Sequence, residues 1–226
     1  MPDSARAAGP AAVFFDMDGT LVDTERHWHT AANEVAAALG RPLTDDDEPH
    51  VTGRPTRYMA EYLAGPQPER GAVQSISDRL IARFTELVRA DSTALPGVPE
   101  LLRSLAEHRV PAMIVSASPR SVIEIVRDGL GAAYFVDVIG EEDTAESKPA
   151  PDPYLAAAAL LGVDPARCVA VEDSRVGTAS ALAAGCRTVV VTADPTVVEG
   201  PGLLVRTSMS DVDLPLLTAH AAAGRR

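Results

Sequence analysis

Beyond residue 95 the chain alternates short, unbroken apolar runs with stretches of helical periodicity, and this alternation constrains the fold more than any other feature. Residues 113–115, 134–139, 169–171 and 188–191 read as strands. Between and before them, residues 98–105, 122–130, 153–161 and 174–184 read as helices. The third of these is entered at Asp152 as a cap, and the last is closed by Gly185. Strands that are apolar on both faces and separated by helices belong to a parallel sheet covered on both sides. An earlier run, residues 11–15, joins the set and breaks off abruptly at Asp16. The expected class is therefore α/β.

Between that first run and about residue 91 the character changes. Residues 30–39 are rich in alanine at helical spacing and stop at Gly40. Residues 57–63 and 73–89 read as two further helices, the second with Val73, Ile76, Leu80, Ile81, Phe84, Leu87 and Val88 on one face. Residues 41–53 read as a polar connection in which the four acids at 45–48 form a solvated loop. No strand is predicted here, so residues 24–90 form an all-helical insert in an α/β core made of 1–23 and 91–226. Residues 1–10 read as a frayed tail, and 207–226 as an edge element followed by a loose tail.

Composition limits the partners. Of 226 residues, 32 are Asp or Glu and 20 are Lys or Arg, a formal charge of −12. So acidic a surface repels phosphate backbones and anionic lipids, which argues against nucleic-acid and membrane-surface binding. An anionic substrate would need a local cation. Two cysteines, Cys168 and Cys186, cannot make a disulfide framework and read as packing residues, and the expected setting is the reducing cytoplasm. The most apolar stretch, 155–163, is too short to span a bilayer, and the N-terminal residues show no secretory h-region.

In open parallel sheets ligands bind beyond the carboxyl ends of the strands. The polar residues that end the apolar runs are Asp16 and Asp18, then Ser116, then Glu172 with Asp173. Lys148, in a proline-rich loop, can bring one cation to the same rim. Taken singly, each of these also reads as a turn, cap or surface residue. Taken together they are a clustered set of carboxylates that raise one another's pKa values unless a cation intervenes, and a hard, oxygen-seeking divalent ion such as magnesium fits that need. Such a set can attack phosphorus through a carboxylate, neutralise the transferring charge, and move a proton to and from the leaving and entering oxygens.

These residues resemble the motifs of the haloacid dehalogenase-like hydrolase superfamily. The segment Asp16-Met17-Asp18-Gly19-Thr20-Leu21-Val22-Asp23-Thr24-Glu25 resembles its first motif and Ile114-Val115-Ser116-Ala117-Ser118 its second. Lys148-Pro149-Ala150-Pro151-Asp152-Pro153-Tyr154 resembles the third and Val171-Glu172-Asp173-Ser174-Arg175-Val176-Gly177 the fourth, all in order. The resemblance implies a Rossmann-like core with a helical cap inserted after the first motif. It implies Asp16 as nucleophile and Asp18 as general acid and base. It implies magnesium held by the Asp16 side chain, the Asp18 carbonyl and Asp173, with Glu172 close by, and a phosphoryl group held by Ser116, the Ala117 N–H and Lys148.

Within the superfamily the chain is similar to the β-phosphoglucomutase-like branch, which holds sugar-phosphate mutases and small-molecule phosphatases. Mutases of that branch carry a cap-helix histidine where this chain has Trp28. They carry a lysine and an arginine where this chain has Thr52 and Thr56 around Gly53. These departures favour a magnesium-dependent phosphatase of a small sugar or polyol phosphate, with a mutase as the alternative and a non-catalytic binding protein as a remote one. Dehalogenases lack the second aspartate of the first motif, and Asp18 is present. Glu25, Trp28, Arg54 and Arg57 are the cap residues expected to read the substrate, although Trp28 also reads as core packing and the arginines as solvated. His27 and His29, two apart on a helix, make a poor metal pair and read as surface or interface residues. A monomer is expected, because a cap must move and no apolar stripe is left over.

Overall fold

The computed structural model describes residues 9–51 and 54–223. The chain divides into two compact units, one made of the residues up to Val22 and from Ala94 onward, the other of Asp23–Thr93.

The first unit is built on six parallel strands: β1 (Val13–Phe15), β2 (Ala112–Val115), β3 (Asp137–Ile139), β4 (Val169–Glu172), β5 (Arg187–Val191) and β6 (Leu203–Arg206), in the order β3-β2-β1-β4-β5-β6. β1 lies at the centre, with Val13 opposite both Ala112 and Val169 and Phe15 opposite both Ile114 and Val171. Every residue of β1, β2 and β4 is buried, as expected of strands covered on both faces. Because the strands run the same way, the carboxyl ends of β2, β1 and β4 stand side by side. Ser116, Asp16 and Glu172 are thus brought to one rim by the ladder itself.

The crossover helices are α5 (Val98–Glu107), α6 (Arg120–Leu130), α7 (Asp152–Leu161) and α8 (Arg175–Ala183). α8 opens on Ser174, whose hydroxyl accepts the Gly177 N–H at 2.9 Å, and its end is closed by Gly185 at φ 88°. Phe14, Met113, Val115, Tyr154, Ala170 and Ala181 belong to one buried cluster between sheet and helices. Cys168 and Cys186 sit in it as free thiols.

Several sequence expectations change. The strand expected over 134–139 is shorter, because Ala132–Tyr134 turns in a 3₁₀ helix after Gly131. Asp152 is the first residue of α7 rather than its cap, a place taken by Pro151. The expected loose tail instead carries a 3₁₀ turn, Met209–Asp211, and a helix, α9 (Leu214–Ala223), with Leu217 and His220 buried. The edge strand precedes that segment, at β6.

The second unit holds α1 (Glu25–Ala38), α2 (Glu48–Val51), α3 (Thr56–Ala64) and α4 (Ala72–Ala90), with no strand among its described residues. α1 begins five residues before the alanine-rich stretch and ends as expected. Gly40 is left-handed at φ 74°, its N–H bonds Ala37 O at 2.9 Å, and the Arg41 N–H reaches back to Ala36 O at 3.0 Å. Ile76, Leu80, Phe84 and Val88 form the buried stripe of α4. The acids at 45–48 are not a simple loop. Asp45–Asp47 form a 3₁₀ turn in which the Asp47 carboxylate accepts from both the N–H and the hydroxyl of Thr44, and Glu48 starts α2. Thr52 and Gly53 lie outside the described residues, as do 1–8 of the expected N-terminal tail and 224–226. No helix among the described residues is long and apolar enough to cross a membrane.

Candidate active site

Asp16 leaves β1 with its N–H bonded to Val171 O at 2.9 Å. The chain then turns on itself: Leu21 N–H bonds Met17 O, and Gly19 N–H bonds Val22 O, both at 2.9 Å. Gly19 has φ 81°, and a Cβ there would lie 2.2 Å from Asp173 Oδ2. The glycine is therefore required twice, for the left-handed turn and for the approach of the β4 acid.

Lys148 fills the centre. Its ammonium donates to Asp16 Oδ1 at 2.7 Å, to Glu172 Oε1 at 2.6 Å and to Val115 O at 2.8 Å. Those three acceptors use all three of its protons. Burial alone would lower its pKa, but the Asp16 and Glu172 carboxylates outweigh burial and hold it above the ordinary lysine value.

Glu172 is fully buried and both its oxygens are occupied. Oε1 accepts from Lys148 and, at 2.6 Å, from the Tyr154 hydroxyl; Oε2 accepts from Ser174 Oγ at 3.1 Å and, more distantly, from the Asp173 and Ser174 N–H groups. It thus ties Lys148 to the start of α8. Its carboxylate still lies among those of Asp16 and Asp173, with one oxygen from each within 4.8 Å of the others.

That crowding is costly. Burial raises the Asp16 pKa well above the ordinary carboxylate value, with Glu172, Asp173 and Asp18 adding to the rise and Lys148 opposing it. Burial, reinforced by Glu172, pushes Asp173 up to about 7. The carboxyl groups of Asp16, Glu172 and Asp173 crowd around one ammonium, and oxygen donors at this spacing suit a hard divalent cation.

Asp18 is half-buried. Its Oδ2 accepts from Ser118 Oγ at 2.8 Å and from Ser116 Oγ at 3.4 Å. Ser116 Oγ in turn accepts the Ser118 N–H at 3.0 Å, with the half-buried Ala117 between them. The structure thus gathers Asp16, Asp18, Ser116, Ala117, Lys148, Glu172 and Asp173 on one rim of one unit. Sequence reasoning missed two partners, Ser118 and Tyr154. Ser118 lies in a bend two residues past Ser116, beyond the end of β2, so strand alternation does not mark it.

The remaining candidates lie in the helical unit. Trp28 is half-buried, edge-on to Phe84 with ring centroids 5.6 Å apart, and its Nε1–H donates to Val51 O at 2.9 Å. Arg54 donates to Pro49 O and lies over the Tyr58 ring, while Arg57 pairs with Glu61 at 2.9 Å. Glu25 is exposed in the first turn of α1. His27 is buried against Asp91 O at 2.7 Å, and His29 faces Glu48 at 3.6 Å.

Residues 10–185 match the family model of the haloacid dehalogenase-like hydrolases. Hexitol phosphatase B of Escherichia coli (strain K12) is 36% identical over 214 residues, which cover 93% of this chain and 94% of that protein. The phosphorylated carbohydrates phosphatase of Thermotoga maritima is 30% identical over 179 residues, 77% of this chain and 81% of that protein. Among solved structures, a mutant form of CbbY of Rhodobacter sphaeroides in complex with xylulose-(1,5)bisphosphate aligns with a TM-score of 0.77 and 26% identity, covering 89% of this chain and 96% of that one.

Proposed function

The chain belongs to the haloacid dehalogenase-like hydrolase family, and from that premise we propose that it is a magnesium-dependent phosphatase of a small sugar or polyol phosphate, working through an aspartyl-phosphate on Asp16. One observation carries the reading: a buried carboxylate, Asp16, lies 2.7 Å from a buried ammonium, Lys148, on a strand-end rim that also presents Asp18 and Ser116.

In this reading an Asp16 oxygen attacks phosphorus while the bond to the substrate's ester oxygen breaks. Lys148 favours the ionised form of Asp16 and, by exchanging one of its three present acceptors for a phosphoryl oxygen, joins Ser116 and the Ala117 N–H in holding the phosphoryl group. Asp18 gives its proton to the leaving alkoxide. It then takes a proton from the water that attacks the phosphoryl group, and the bond from Asp16 to phosphorus breaks to release phosphate. Magnesium held by Asp16, the Asp18 carbonyl and Asp173, with Glu172 adjoining, would neutralise the charge that two anions bring together. Residues 24–90 are the cap that selects the substrate, with Glu25, Trp28, Arg54 and Arg57 as its reading side chains, and 1–23 with 91–226 are the catalytic core. The names of relatives that act on hexitol and carbohydrate phosphates support the substrate class. The enzyme is read as a cytoplasmic monomer.

The test is phosphate release from a panel of sugar, polyol and nucleotide phosphates, with magnesium, with EDTA, and with Asp16→Asn. Release that needs the metal and vanishes in the variant is the expected result. Turnover retained in Asp16→Asn would refute the mechanism. Conversion of a hexose 1-phosphate to its isomer without phosphate release would establish the mutase instead.

A further inference from the structure

Building on that reading, we infer that Ser118 is a positioning residue that fixes the orientation of the Asp18 carboxyl for proton transfer. Ser118 Oγ donates to Asp18 Oδ2 at 2.8 Å, whereas Ser116 Oγ addresses the same oxygen only at 3.4 Å. The shorter contact belongs to the residue that neither the motif resemblance nor the strand-end argument assigned. A hydroxyl donating to Oδ2 leaves the exchangeable proton to the other carboxyl oxygen. It also stops the carboxyl from rotating, which would carry that proton away from the ester oxygen.

Ser118 is itself held by its backbone. Its N–H bonds Ser116 Oγ at 3.0 Å and its carbonyl accepts the Glu141 N–H at 3.0 Å. Pro119, which follows, opens α6. The side chain is thus the one part of the residue whose bond runs to Asp18, and removing it leaves the loop's backbone tethers in place.

Orientation of a general acid matters in proportion to how badly the leaving group needs a proton. An alkoxide leaves poorly without one, whereas p-nitrophenolate leaves readily. The comparison is kcat/KM, which reports the steps up to departure of the leaving group, on a polyol phosphate and on p-nitrophenyl phosphate. In Ser118→Ala, kcat/KM on the polyol phosphate should fall by tenfold or more, within the roughly 10²- to 10⁴-fold that general acid–base catalysis supplies, while the aryl ester loses less than about threefold. Ser118→Thr, which keeps the hydroxyl, should restore most of the loss. Equal losses on the two esters would mark a structural role and overturn the inference, as would no loss on either or no recovery in Ser118→Thr. Absence of wild-type turnover on both esters would overturn the phosphatase reading and this inference with it. A wild type active on both, with a variant that does not discriminate, would overturn this inference alone.

Discussion

The carboxylate of Glu172 occupies the space that a side chain at Gly177 would need. A Cβ at 177 would lie 1.8 Å from Oε1 and 2.1 Å from Cδ. Gly177 sits in the first turn of α8, where its N–H is taken by Ser174 Oγ, so the missing side chain lets the helix start close over the acid that anchors Lys148. The pairing explains how a fully buried glutamate can hold its position at the end of β4.

Gly177→Ala should therefore disturb the site as well as the fold. Either α8 moves or Glu172 rotates away, and overpacking of this kind costs about 1–3 kcal/mol. Urea unfolding should show a lower midpoint at unchanged slope, and turnover should fall further than that loss of stability explains, because Lys148 loses an acceptor. A variant with wild-type midpoint and turnover would show that the close approach is not needed.

Tyr154→Phe isolates the other donor to Glu172 Oε1. The tyrosine is fully buried, its hydroxyl lies 2.6 Å from Oε1, and burial together with the Glu172 charge holds its pKa well above the ordinary phenol value, so it remains a donor. Phenylalanine keeps the ring and deletes one hydrogen bond to a charged group, a loss of about 1.5–3 kcal/mol. Equilibrium unfolding of the two proteins measures it directly. A difference near zero would mean that Lys148 and Ser174 satisfy Glu172 without the phenol.

The contrast between these residues and the rest of the site shows what a sequence displays. Asp16, Ser116, Glu172 and Asp173 were legible because each ends an unbroken apolar run, and parallel pairing carries those ends to one rim. Gly177 and Tyr154 act on a side chain in another element, and Ser118 reaches an aspartate 100 positions away, so no local period marks them. The same reason hid α9. Its residues 214–223 are apolar nearly all round, which gives no helical stripe, and β6 is a half-buried edge strand without a continuous buried face. At 45–48 the charges drew attention away from the Thr44–Asp47 capping pair.

His220 predicts a pH dependence of stability that is separate from catalysis. Its Nε2 lies 3.1 Å from both Thr188 O and Gly202 O, so that nitrogen carries the proton, while Nδ1 faces Arg187 Nη2 at 3.5 Å and accepts. Burial, and then the Arg187 and Arg206 charges, lower its pKa below the ordinary 6.5, against the pull of the two carbonyls. The folded state thus favours the neutral ring. The contribution is complete above pH 6.5 and declines as pH falls from there toward the lowered folded value, because the unfolded chain binds the proton first. Unfolding free energies measured from about pH 8 to about pH 5, a window spanning the histidine range, should fall less steeply in His220→Gln than in the wild type. Parallel curves would refute the assignment.

Cys168 and Cys186 should be inert until the core opens. Burial pushes their thiols up to about 11 and about 12, so at mildly alkaline pH the thiolate that would attack a disulfide reagent is scarce as well as enclosed. Cys168 Sγ also lies 3.4 Å from Asp164 O, as a donor to it. Mixing the native protein with an aromatic disulfide at that pH should release little thiolate over minutes, and adding denaturant should release the full two equivalents. The slow native rate should follow global stability across variants such as Gly177→Ala, since both residues belong to the cluster that also holds Phe14 and Tyr154. Fast labelling of the native protein, independent of such variants, would mean that this side of the sheet opens locally.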